Sequence, residues 1–310
     1  MVTRGRAADT HPVPSALTLE RVRRDLDVLA HAGLDTATFL AEVYESLYRA
    51  VPSDAACVAT VDPATRLTTG AFKFGDLAGR YDTDELWGRL EYGHVEPTSY
   101  TELARIGVPA VGMHVATSGD VQRSPRVREL VQSALGCADE LRIIATAGGR
   151  LWGGVAMFRG DPSAPYRQDD VEFVSSLSGL LARGLRVGLL ARLAAKPPAP
   201  AVSGRPAVMI FDADARLRQA SVGAEARLAE LVRDLHAPAP FAVLGSLVAA
   251  AWRYAAGATD VLPSSRLRLP SGEWIILHAS PLTATDGTTA SVVVTIEEVA
   301  SLPDSGYRTQ

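Results

Sequence analysis

The run from Asp139 to Gly160 (DELRIIATAGGRLWGGVAMFRG) leaves the chain little choice but a β-hairpin. Two apolar stretches flank Gly148-Gly149, and paired glycines supply the positive φ that a two-residue turn needs. The pattern predicts strands over 139–147 and 151–158, with Asp161-Pro162 ending the second. An apolar sheet must be covered, and the next segment offers the cover. Asp169 and Asp170 open a helix, where carboxylates complement the N-terminal dipole. Val171, Val174, Leu177, Leu181 and Leu185 then share one face of a long helix over 169–193.

Upstream, Leu19, Val22, Leu26 and Leu29 recur at helical spacing up to Gly33. A second helix follows Asp35, its apolar face made by Phe39, Leu40, Val43, Tyr44 and Leu47. Residues 55–61 read as a strand stopped by Asp62-Pro63, and 70–74 continue the sheet. Residues 75–125 hold helical fragments at 85–90 and 100–105 around an irregular stretch rich in Gly, Pro and aromatic residues.

Lys196 to Pro206 (KPPAPAVSGRP) divides the chain, because its prolines hold it extended and it has no face to bury. Beyond it come strands at 207–211 and 216–220, helices at 223–235 and 241–256, and three strands at 265–269, 273–281 and 289–299. The turns between these last three fall at Pro270-Ser271-Gly272 and Asp286-Gly287. The expected class is α+β, with two domains, each an antiparallel sheet flanked by helices. The expected divisions are a disordered arm at 1–16, a first domain at 17–193, a linker at 194–206, a second domain at 207–299 and a polar tail at 300–310.

Composition narrows the function. Across 310 residues the net charge is −4 with both signs interspersed, so no basic surface for nucleic acid stands out. Lys73 and Lys196 are the only lysines beside many arginines and alanines, a bias that suggests a GC-rich bacterial genome. Two cysteines, Cys57 and Cys137, sit far apart in apolar surroundings, which fits a reducing cytoplasm rather than a disulfide framework. Residues 1–14 lack an apolar signal core, and arginines interrupt the most apolar helical stretch, so neither export nor a membrane span is expected.

Residues 139–160, followed by YRQDDVEFVSSLSGLLARGLR (166–186), resemble the C-terminal half of a GAF domain. AVMIFDADARLRQAS (207–221) and RLPSGEWIILHASPL (268–282) resemble a PAS-type domain. The pair is similar to the sensory region of actinobacterial LuxR-type transcriptional regulators. The resemblance implies signal sensing and ligand binding in the service of transcription regulation. In that family a helix-turn-helix domain follows, where here SLPDSGYRTQ (301–310) stands. Control of transcription is therefore expected through a partner or a missing DNA-binding domain, with no direct nucleic-acid contact by this chain. The alternative is a ligand-free dimerisation and docking module.

No catalytic signature is present. There is no phosphate loop, and Gly148, Gly149, Gly153 and Gly154 lack dinucleotide-loop spacing. No G-x-S-x-G elbow occurs, and the six histidines have no partner at metal-ligand spacing. The chain reads as a non-enzyme, with Glu91, His94 and His114 the only nominees were it one. Cys137 lacks the adjacent histidine that would hold a bilin, so both cysteines read as small buried apolar residues. No cofactor is identified.

The ligand segment implied by the resemblance is 85–115. Trp87, Tyr92 and Tyr100 offer aromatic faces, and His94 and His114 offer polar contacts. Trp252, Tyr254 and Trp274 are the corresponding aromatics of the second domain. Leu177, Leu181 and Leu185 are the expected homodimer interface, through helices at 19–31 and 169–193.

Overall fold

The computed structural model describes residues 14–94, 96–194, 207–224, 226–227, 241–268, 274–285, 287 and 289–299. Residues 1–13 of the expected arm, most of the linker, the bulk of the helix at 223–235, the turn at 270–272 and the tail lie outside them. Ser15 and Ala16, expected in the arm, cap and open the first helix. The chain builds two five-stranded antiparallel sheets flanked by helices, so the class is α+β as expected.

The first sheet has the order β2-β1-β5-β4-β3. Its strands are β1 (Ala55–Val61), β2 (Thr68–Gly75), β3 (Ala110–Gly112), β4 (Asp139–Ala147) and β5 (Arg150–Arg159). The hairpin forms as its glycines require, with Gly148 at φ 57° and Gly149 at φ 71°. Period-two alternation then sorts the side chains. Ala56, Val58, Leu141, Ile143, Val155 and Met157 face one core, packed under α1 (Ala16–His31), α2 (Thr36–Ala50), α6 (Gln168–Ser175) and α7 (Ser178–Ala194). Ala55, Cys57, Ala156 and Phe158 face the other side. There α3 (Asp84–Tyr92), α4 (Tyr100–Ile106), the short α5 (Met113–Ala116) and a wide π-helical segment (Val127–Ala134) cover the sheet.

Asp35 caps α2 as expected, accepting from the Ala37 and Thr38 backbone N–H groups at 3.0 and 3.1 Å. The Thr38 hydroxyl, followed by the backbone donors, holds its carboxyl below the usual 3.8. The cap therefore contributes fully above that value and fades as pH falls through the lowered one. Asp35→Ala should cost about 1 kcal/mol of unfolding free energy at neutral pH, measurable by urea denaturation.

One expected helix is two. The helix foreseen over 169–193 breaks between Ser175 and Ser178, and its halves meet at 45°. Serine hydroxyls compete for backbone carbonyls here. Ser176 Oγ donates to Phe173 O at 2.6 Å, and Ser178 Oγ donates to Ile144 O of β4 at 2.6 Å. The bend lets α7 lie on the sheet. It also corrects the expected dimer stripe: Leu177, Leu181 and Leu185 are all buried in the core of their own domain. Gly184 allows the approach, since a Cβ there would fall 2.0 Å from the Phe39 ring. The helices at 19–31 and 169–193 thus pack on one another within one chain, with Arg23 of α1 donating to Ser176 Oγ at 3.0 Å. No single described helix is long and apolar enough to cross a membrane.

The second sheet has the order β7-β6-β10-β9-β8. Its strands are β6 (Ala207–Phe211), β7 (Leu217–Ala220), β8 (Ser264–Arg268), β9 (Trp274–Thr283) and β10 (Thr289–Val299). Helix α8 (Phe241–Ala255) covers one face, against Met209, Phe211, Leu277, Val292 and Val294. Leu67 and Tyr92 of the first domain complete this core. A buried ion pair adds to the join. Asp62, just past β1, receives Arg266 Nε at 2.8 Å and Nη2 at 2.6 Å.

Candidate functional site

Between the first sheet and its α3–α4 cover lies a small cavity. Its floor is Cys57, Ala59 and Ala71 of β1 and β2; Trp87, Tyr92 and Tyr100 wall it from α3 and α4. Ser246 enters from α8 of the second domain. Small floor residues make the space, because alanine and cysteine leave room above the strands that larger side chains would fill. About 30 Å³ is open to the centres of water molecules, room for roughly two waters.

Tyr100 anchors the site. Its ring lies flat on β5 at Gly154, where a Cβ would fall 2.4 Å from the ring carbons. The Arg142 guanidinium stacks on the ring, 3.8 Å from the centroid. Buried among these, the phenol is held well above its usual pKa by desolvation. Its hydroxyl has no hydrogen-bond partner among the described residues, nor has Oδ2 of Asp84, which lines the cavity from α3. The other Asp84 oxygen pairs with Lys73, which partly offsets the upward push of burial on the carboxyl.

Behind Tyr100 runs a buried charge network. Glu91 Oε1 accepts from the Tyr100 backbone N–H at 2.6 Å, and Oε2 accepts from Arg142 Nη2 at 2.7 Å. Glu140 Oε2 accepts from Arg126 Nε at 3.0 Å, and Arg126 Nη2 donates to Thr98 Oγ1 at 2.8 Å. Thr98 Oγ1 in turn donates to Glu96 Oε1 at 2.9 Å. The network ties α3, the 96–98 turn, α4 and the start of the π-helix to β4. Buried charges persist only when paired in this way.

Of the residues expected to bind a ligand, the structure gathers Trp87, Tyr92 and Tyr100 around the cavity. It leaves two outside. His94 is half-buried, with Nε2 3.9 Å from Glu96 Oε2. His114 is exposed; its backbone N–H donates to Asp139 Oδ1 at 3.0 Å, and its carbonyl accepts from the Gly119 N–H at 2.8 Å. Glu91, His94 and His114 accordingly do not converge. Cys57 is a thiol at neutral pH, since burial pushes its pKa up to about 12, and the thiolate is the reactive form. Among the described residues no three His, Cys, Asp or Glu side chains are grouped to hold a metal ion. In the second domain Trp252 packs on the core, and Tyr254 and Trp274 are half-buried.

Sequence reading missed Glu140, Arg142 and Ser246. The first two carried a signal: they alternate with Leu141 and Ile143 in an otherwise apolar strand, and period two puts both charges on one face. Ser246 carried none, because its place depends on how the second domain sits.

No family model and no curated protein matches the chain. Solved structures with a similar trace include the GAF domain of A. aeolicus NLH2 in an inactive state. That match has 12% identity and a TM-score of 0.36, and covers 55% of this chain and 97% of that one. A second is the free methionine-R-sulfoxide reductase from Neisseria meningitidis in complex with its substrate, at 14% identity and a TM-score of 0.39, covering 60% and 99%. A third is a bacteriophytochrome from the photosynthetic bacterium R. palustris, at 11% identity and a TM-score of 0.39, covering 94% of this chain and 64% of that one.

Proposed function

We propose that this chain is a non-catalytic, cytoplasmic signal-sensing protein of GAF–PAS type. A small molecule enters the cavity of the first domain, and the second domain passes the change to a partner that controls transcription. One observation carries the reading. The cavity combines aromatic walls with two unpartnered polar atoms, Tyr100 Oη and Asp84 Oδ2, and Ser246 from a helix of the other domain lines it. An apolar lining with a few placed polar groups is what a ligand site needs, and unpaired buried polar atoms favour a ligand that pairs them.

The size of the cavity favours a second reading. Small-molecule pockets span roughly 300–1,000 Å³, against about 30 Å³ here. On that ground the chain would be a docking module that works without a ligand. Native mass spectrometry on protein purified without additives separates the two. Mass present in the native ion and lost on denaturation is expected for the sensor. A clean apo mass, with no thermal shift across a metabolite panel, would favour the docking module.

A further inference from the structure

At the roof of the cavity two backbones meet with no side chain between them. A Cβ on Gly88 of α3 would lie 2.9 Å from both the Gly245 carbonyl carbon and the Ser246 nitrogen of α8. One turn earlier, the Glu85 Cα is 3.6 Å from where a Gly245 Cβ would stand. Ser246 reaches the cavity beside Gly88. Helices α3 and α8 therefore lie side by side over the cavity, and Gly88 and Ser246 line it from the two sides of their seam. Two further ties hold α8 and its sheet in place: the Asp62–Arg266 pair and the insertion of Leu67 and Tyr92 into the second core.

Close-packed backbones give no slack. To admit more than roughly two waters, the seam between α3 and α8 has to part, and it cannot do so while α8 stays seated. We infer that the second domain is the gate of the first-domain cavity. Seating of α8 on α3 keeps the cavity shut, so occupancy and domain docking oppose one another. By linkage the opposition is reciprocal: a ligand that holds the cavity open loosens α8 by the factor with which seated α8 weakens the ligand. This inference rests on the cavity being the ligand site proposed above.

Cys57 on the cavity floor reports the gate without any ligand. It is 4% exposed, so iodoacetamide reaches it only when the roof lifts. The rate is read by peptide mass spectrometry, which separates Cys57 from Cys137. The lock is Glu85→Cys together with Gly245→Cys, whose Cα atoms lie within disulfide reach. Gly245 accepts a Cβ at ordinary contact distance. With the disulfide formed, Cys57 should react about tenfold more slowly than in the wild type or in Glu85→Cys alone. Gly88→Ala, which wedges the crossing, should speed it about tenfold and enlarge the radius of gyration in X-ray scattering. The gate is overturned if the disulfide forms and the Cys57 rate stays put, if the disulfide fails to form, or if Gly88→Ala leaves the rate unchanged. Since no ligand is used, a clean apo mass would count against the sensor reading and leave this result standing. A gate that fails would equally leave a bound mass unexplained but real.

Discussion

Arg142→Ala should destabilise the first domain by about 3–5 kcal/mol, the usual cost of breaking a buried ion pair from one side. Arg142 is fully buried, pairs with Glu91 at 2.7 Å and lies 3.6 Å from Glu140. Its removal strands carboxylate charge in a place without water. It also strips the cation from the face of Tyr100, 3.8 Å away. Denaturant unfolding measures the loss. A control separates the charge effect from lost packing: Arg142→Met combined with Glu91→Gln removes both charges at similar volume and should recover most of the deficit. If Arg142→Ala costs less than about 1 kcal/mol, the range of exposed pairs, the network is not the buried anchor described above.

The second large effect is expected at the join between domains. Asp62→Ala leaves Arg266 without the carboxylate that binds both its Nε and its Nη2, and Asp62 is fully buried. The cost should again be about 3–5 kcal/mol, but its signature should differ. Arg142→Ala acts inside one sheet and its cover, whereas Asp62→Ala acts on the seating of β8 and α8. Hydrogen exchange should rise first in Ser264–Arg268 and Phe241–Ala255 for the Asp62 variant and in β4 for the Arg142 variant. Uniform acceleration in both would mean that the join and the network unfold as one unit.

What could be read from the sequence was local. The hairpin at 139–159 was legible because its strands alternate with period two and its glycines sit at positive φ. Asp35 announced α2 because a cap acts within three residues. The break between α6 and α7 was hidden, since the Ile144 carbonyl that Ser178 binds comes from a strand more than thirty residues away. The aromatic members of the cavity could be named from their segment alone. Their charged neighbours could not: Glu91, Glu96, Arg126, Glu140 and Arg142 meet only after α3, the π-helix and β4 have packed. The leucine stripe on α7 misled because a periodic apolar face says that a helix is covered and not by what. Likewise, the proline-rich stretch separates the domains along the chain but says nothing of a core to which Leu67 and Tyr92 contribute.

That shared core has a consequence in time. A ribosome delivers roughly 5–20 residues per second, and N-terminal domains generally fold first. The residues carrying Leu67 and Tyr92 are therefore in place before the first strand of the second sheet leaves the tunnel. The later strands and α8 supply most of the second core themselves. They close that core on a surface that, by this order, already stands with two side chains projecting from it. The order of synthesis and the order of assembly run in the same direction. A chain rearranged to make the second sheet first would have to hold an incomplete apolar face in water until its missing pieces arrived.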